Sequence, residues 1–379
     1  MMRAAVLTGV ERIEVRHVPC PPLGRHEVRV RVQAVGLCGT DLHIFAGHAN
    51  YNRDAAGRAR PLADHPQILG HEIAGVIDAV GEAVDTLTPG DRVVIDQGRS
   101  CVSEGRTPLC EYCATGDSHQ CEQYREHGIT GLPGGLAEYV AVPAVNAIRI
   151  ESDLDAACAA LTEPLGCVIH STDVLMRTQG RYALSAGQQR ARTVLVCGAG
   201  PAGLLFVQYL RRVIGFDGLL LVSEPNARKR ALAEQYGGVP VDPKEADLVE
   251  LVRARTAGRG VEILIEATGS GSVFEAIPGL ARKQATILLY GHGHGGTDLS
   301  VMNPVQFLEP TLLSPVGASG GHEPDGRPTT YLRALHYLES GTIDVASLIT
   351  HRYSSLDAVP HAFRQGFRAP DYVKGVVVA

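Results

Sequence analysis

The sequence predicts a two-domain fold, a β-rich domain joined to an α/β domain built on a doubly wound parallel sheet. Two observations carry this expectation. Short alternating runs fill residues 1 to about 150, whereas from Thr193 apolar strands alternate with helical stretches. The chain is also 379 residues long, more than one ordinary core holds.

Residues 27–35 (EVRVRVQAV), 72–80 (EIAGVIDAV), 91–95 (DRVVI) and 138–142 (EYVAV) are alternating or β-branched runs broken by Gly and Pro. Such runs read as strands of an antiparallel, one-face-buried sheet. Residues 48–64 are polar and read as a surface loop. In the second half TVLVC, GLLLV, EILIE and ATILLY are apolar strands, separated by helical stretches such as 201–214 and 227–236. That alternation is the pattern of parallel strands with crossover helices. After Pro315 a helix over 329–340, a further helix and a terminal VVV strand follow without another strand–helix–strand unit.

Composition excludes several function classes. Hydrophobic content of 45% and charged content of 20% fit a soluble globular enzyme. A net charge of −6 over this length gives no general attraction to nucleic acid or anionic membrane. No apolar run approaches the roughly 18 residues of a membrane span. The N-terminus MMRAAVLTGVERIEV reads as a strand rather than an export signal. Four of the nine cysteines cluster between residues 101 and 121, which favours metal binding in a reducing compartment, the cytoplasm, over a disulfide framework.

The strand TVLVC runs directly into Gly198-Ala199-Gly200-Pro201-Ala202-Gly203. In a strand–turn–helix context the first glycine permits a tight turn and Gly200 lets the backbone approach a pyrophosphate. Gly203 permits close helix packing, and the helix N-terminus offers its N–H groups to phosphate. Glu224 closes LLLVSE, where a carboxylate would bind adenosine ribose hydroxyls and repel a 2′-phosphate. NAD is therefore favoured, while Lys229 and Arg230 nearby leave NADP tolerated.

Cys101, Cys110, Cys113 and Cys121 are spaced x8, x2 and x7 in a polar, turn-forming stretch. Four thiolates suit a closed tetrahedral structural zinc. Separately, Cys38 after a strand, His71 in Gly70-His71-Glu72 and Glu163 in Glu163-Pro164-Leu165 supply the sulfur, nitrogen and oxygen ligands of a catalytic zinc with an open position. Each residue alone has a bland structural reading, and the combination with a nucleotide fingerprint carries the inference.

Taken together, GLCGTDLH, GHEIAGVIDAVG, PGDRVVI, the cysteine lobe, GGLAEYVAVP, EPLG and VLVCGAGPAGLL resemble the zinc-containing medium-chain dehydrogenase/reductase family over essentially the whole chain. The resemblance implies a GroES-like catalytic domain at 1–165, completed by 315–379, and a Rossmann domain at 166–314. It implies that Cys38, His71 and Glu163 hold catalytic zinc, and that Glu72 ligates it or lies just behind it. It also implies that Asp41 orients the zinc-binding imidazole and that Thr40 passes the alcohol proton to His43. The implied activity is zinc- and NAD-dependent oxidation of a small polar secondary alcohol (a sugar, cyclitol or polyol). An L-threonine 3-dehydrogenase-like or NADP-using glucose dehydrogenase-like enzyme is the alternative. Two zinc ions per chain and a homodimer or homotetramer are implied as well. The sequence departs from the family at one point of this lobe, where the Cys101–Cys110 gap is longer than the usual pattern.

Overall fold

A computed structural model of the protein describes residues 1–184, 189–318 and 320–378. The chain forms two compact units, one of Met1–Gly166 with Ala318–Ala379 and the other of Cys167–Gly317. Among the described residues no helix is long and apolar enough to cross a membrane.

The first unit is built on a seven-stranded sheet. Its spatial order is Ala147–Arg149, Arg92–Ile95, Glu72–Val80, Glu27–Leu37, Lys374–Val378 and Ile349–Tyr353, with Tyr139–Pro143 also pairing Glu27–Leu37. The alternation in EVRVRV points Val28, Val30 and Val32 into a core shared with Ile73, Ile77, Val93 and Ile95. Register places the chemistry: Gly36 pairs with Glu72 and Leu37 with Gly375. The last strand of the chain thus lies beside the end of the strand that leads into Cys38. A two-stranded ribbon, Gly98–Arg99 with Arg125–Glu126, pairs Gly98 with Glu126. A three-stranded sheet, Arg12–Val18, Met2–Gly9 and Gln67–Ile68, completes the β structure.

The second unit is a six-stranded sheet in the order Val239–Val241, Leu219–Ser223, Thr193–Cys197, Val261–Glu266, Ala281–Leu289 and Thr311–Leu313. Every neighbouring pair is parallel. Strands buried on both faces explain the near-continuous apolar runs, with Leu195, Leu221, Leu264 and Ile287 all in one core. Side chains cap two helices: Asn226 accepts from the Lys229 N–H, and Asp247 accepts from Val249 and Glu250. The β-rich and parallel-sheet classes expected from the two rhythms are both present.

Candidate metal centres and nucleotide site

Cys38 follows the strand Glu27–Leu37 and is the N-cap of the short helix Gly39–Phe45. Asp41, fully buried, holds the two ligand-bearing turns together. Its Oδ2 accepts from the Cys38 N–H at 2.9 Å, and its Oδ1 accepts from the Gly70 N–H at 3.1 Å. The same Oδ1 lies 3.4 Å from His71 Nδ1, near enough to attract charge on the ring though outside hydrogen-bond geometry. Burial pushes the His71 imidazole toward neutrality, but Asp41 and Cys38 outweigh burial and raise its pKa well above the ordinary value. A ring drawn toward a proton in this way occupies a spot whose surroundings favour positive charge. Thr40 and His43 are half-buried and three residues apart on the helix, hence on one side of it. The Cys38 thiol lies 3.7 Å from the Thr40 hydroxyl, and the His43 ring centroid lies 6.1 Å from that of His48.

Glu72 is fully buried and divides its two oxygens. Oε1 accepts from Lys374 Nζ at 2.5 Å, and the same ammonium donates to the Leu37 carbonyl at 2.9 Å. Oε2 is buried without a hydrogen-bond partner. A Cβ on Gly36 would come within 1.8 Å of it, so position 36 admits no side chain. Burial alone would discharge Lys374, yet Glu72 and Cys38 hold its pKa above the ordinary value. The ligand atoms of Cys38, His71 and Glu72 all lie within 4.8 Å of one another. A thiolate, an imidazole and a carboxylate so placed fit zinc, and the unpartnered Glu72 oxygen is what a cation would satisfy.

Glu163 lies in the first turn of the helix Thr162–Arg177, outside this tight trio. Its Oε1 accepts from Gln97 Nε2 at 3.3 Å. Gln97 also reaches Glu126 Oε1 at 3.5 Å, and its own oxygen accepts from the Tyr331 hydroxyl. Burial raises the Glu126 pKa, partly offset by the nearby His71 charge.

The four lobe cysteines also converge to within 4.8 Å, Cys101 among them despite its long gap. Cys101 Sγ and Cys121 Sγ are 3.5 Å apart, far beyond a disulfide of about 2.05 Å, and all nine cysteines are free. Backbone N–H groups of Cys113 and Glu122 draw the Cys110 thiol down to about 6, while burial pushes Cys113 up to about 12. Four thiolates cannot share that space without a cation, and the donor set fits a structural zinc.

In the second unit Gly198 has a φ of +93°, open to glycine, and a Cβ on Gly203 would sit 1.9 Å from the Gly198 carbonyl oxygen. Beside Gly200 no atom lies within 4 Å of where a Cβ would be, leaving space for an approaching ligand. Gly200 caps the helix Pro201–Arg212, with Pro201 and Ala202 in its first turn. Glu224 is buried at the end of its strand and accepts from the Ala199 N–H and the Asn226 N–H, each at 2.9 Å. It therefore ties the glycine turn to the second strand. Arg230 pairs with Asp242 at 2.8 Å and donates to the Glu224 carbonyl, while the Lys229 N–H is spent on the Asn226 cap. These glycines and the carboxylate fit a dinucleotide.

Sequence reasoning missed Lys374, Gln97, Glu126 and Tyr331. Lys374 alone left a signal, a single charge opening the apolar strand KGVVV.

Residues 24–152 match the alcohol dehydrogenase GroES-like domain family, and residues 201–333 the zinc-binding dehydrogenase family. The chain is 31% identical to L-threonine 3-dehydrogenase of Pyrococcus furiosus over 94% of its own length and 91% of that protein's. It is 29% identical to sorbitol dehydrogenase of Halalkalibacterium halodurans, covering 96% and 97% respectively. A zinc-binding dehydrogenase of Sinorhizobium meliloti solved with NADP superposes with a TM-score of 0.80 at 31% identity, covering 100% of this chain and 99% of that one.

Proposed function

The chain belongs to the zinc-containing medium-chain dehydrogenase/reductase family and is a zinc- and NAD(P)-dependent oxidoreductase of the alcohol dehydrogenase type; from that premise we propose that it oxidises a secondary alcohol of a sugar, cyclitol or polyol. The observation that carries this is the convergence of half-buried Cys38 with buried His71 and Glu72, one Glu72 oxygen having no hydrogen-bond partner among the described residues. Cys38, His71 and Glu72 would hold the catalytic zinc with Glu163 as a further ligand. Cys101, Cys110, Cys113 and Cys121 would hold the structural one.

Bound zinc would supply Lewis acidity, which lowers the pKa of an oxygen held against it, as bound water falls to roughly 7. NAD supplies the hydride acceptor. The protein's own residues do the rest. Asp41 fixes the orientation of His71 and the turn that presents Cys38. Lys374 fixes Glu72 by one oxygen. Thr40 accepts the alcohol proton, and His43, half-buried on the same side of the helix, delivers it to water. Gly198, Gly200, Pro201, Ala202 and Gly203 seat the pyrophosphate, and Glu224 meets the adenosine ribose. Arg230 is already paired with Asp242 and the Glu224 carbonyl, and the Glu224 carboxylate would repel a 2′-phosphate, which supports NAD over NADP.

L-threonine is the second reading, favoured by the name of the Pyrococcus furiosus relative. A screen of NAD reduction across polyols, aldoses, inositols and threonine separates the two. Turnover of none of them would sink both. A cytoplasmic homodimer or homotetramer completes the proposal. Its support is the metal-fitting arrangement of the four lobe cysteines together with exposed Phe307, Leu312 and Val316 in the second unit.

A further inference from the structure

Gln97 follows the strand Arg92–Ile95 and is 1% exposed. Its backbone carbonyl accepts from the His127 backbone N–H at 2.9 Å, and the ribbon pairing of Gly98 with Glu126 fixes the two segments side by side. The amide has one sensible orientation. Tyr331 donates to its oxygen, so its NH2 faces the carboxylates of Glu126 and Glu163, and a flipped amide would set oxygen against two anions.

Glu126 is half-buried and within electrostatic reach of His71. Among the described residues its carboxylate accepts one hydrogen bond, a long one of 3.5 Å. A carboxylate offers about four acceptor positions, and most of those of half-buried Glu126 are left open to a ligand. Nothing in the packing calls for a buried amide and an acid here, because apolar residues of that size would fill the same space at lower cost. A ligand hydroxyl would repay it. One hydroxyl donates to Glu126 and the next along the carbon chain donates to its other oxygen, while the Gln97 NH2, its two hydrogens directed at Glu126 and Glu163, holds the carboxylate in place.

We infer that Gln97 and Glu126 form a hydroxyl-recognising wall beside the Cys38–His71–Glu72 trio and select substrates that carry a second hydroxyl next to the reacting carbinol. The inference rests on the reading of that trio as the reacting centre. The wall is anionic, with Glu126 and Glu163 on either side of the amide, so it disfavours a substrate carboxylate and accepts a neutral diol.

The test is steady-state kcat/KM for the wild type, Glu126→Ala and Glu126→Gln on sorbitol, myo-inositol, 2-butanol and L-threonine. Zinc content and melting temperature are measured on each protein. Loss of a charge-assisted hydrogen bond predicts that Glu126→Ala lowers kcat/KM on the polyol about 10–100-fold more than on the monohydric 2-butanol. Glu126→Gln keeps a hydroxyl acceptor and should recover to within about fivefold of wild type on the polyol. Equal losses on polyol and 2-butanol, with zinc retained, would overturn the wall and leave the functional reading standing. A Glu126→Gln enzyme that collapses on L-threonine while the polyol remains a poor substrate would also overturn it, because the occupant is then an ammonium. A wild type that oxidises none of the four would remove the functional reading and the wall with it. Should Glu126→Ala fail to fold, Gln97→Leu takes its place with the same selective loss expected.

Discussion

Lys374→Met removes the cation that holds Glu72, and the consequence can be worked from the burial of the pair. Lys374 is 2% exposed and Glu72 fully buried, so the change leaves Glu72 Oε1 with neither water nor its ammonium, and a zinc ion at Oε2 would offset only part of the stranded charge. Breaking a buried pair from one side costs about 3–5 kcal/mol, much more than an exposed salt bridge would. Against a total of roughly 5–15 kcal/mol that is a large fraction of the stability of the unit. At roughly 2–4 °C per kcal/mol the melting temperature should fall on the order of 10 °C. Removing the stranded charge should undo most of the damage, so Glu72→Gln/Lys374→Met should melt above Lys374→Met alone. The assay is thermal unfolding of the wild type, both single variants and the double, at matched protein concentration and zinc content. The reasoning fails if Lys374→Met melts within about a degree of wild type, or if the double variant is the least stable of the four.

Cys113→Ser opens the four-thiolate site and should yield little soluble protein, with one zinc fewer per chain by elemental analysis; a stable, fully active variant would contradict the structural assignment. Glu224→Ser should shrink the NAD-over-NADP ratio of kcat/KM, because it removes a charge that repels a 2′-phosphate. It should also lower stability by about 1–3 kcal/mol, since the Ala199 and Asn226 N–H groups lose their acceptor, as a urea titration would register. Thr40→Ala should lose most activity and His43→Ala less, with the His43→Ala deficit greatest at low pH; a kcat profile matching wild type at every pH would move the relay elsewhere. Buried His127 has its pKa lowered by burial to about 4, and its Nε2 is buried without a partner. Because the folded value lies below the unfolded one, the unfolded chain binds the proton first. Stability should therefore fall by up to about 3 kcal/mol as pH drops from 6.5 toward 4, and His127→Gln should flatten that decline in acid-unfolding curves.

What the sequence disclosed and what it hid divide along physical lines. Cys38, His71 and the four lobe cysteines were legible because thiols and imidazoles are rare and their spacing has few uses. The glycines at 198, 200 and 203 were legible because a tight turn, an approaching phosphate and a packed helix each exclude a side chain. The long Cys101–Cys110 gap still brings Cys101 to its partners, since a loop of extra residues is cheap to close. The Lys374–Glu72 pair was not legible, because 302 residues separate its members and only sheet register joins them. Gln97 and Glu126 look like ordinary surface polar residues in the sequence, and only the ribbon that pairs Gly98 with Glu126 brings them together. Glu163 was legible as a candidate by residue type, and what the sequence hid is its place beside Gln97 rather than within the tight trio, from where it stays the proposed further ligand.

The central claim is that the Cys38, His71 and Glu72 trio binds zinc and performs alcohol oxidation, separately from the zinc that stabilises the cysteine lobe. The most direct measurement is zinc per chain together with NADH formation from the best alcohol of the screen, in the wild type and in Cys38→Ser. The wild type should carry two zinc ions per chain and turn the alcohol over. Cys38→Ser should carry one zinc, with near-native circular dichroism and no detectable NADH. NADH formation at the wild-type rate in Cys38→Ser, or a folded and active wild type with no zinc, would contradict the claim.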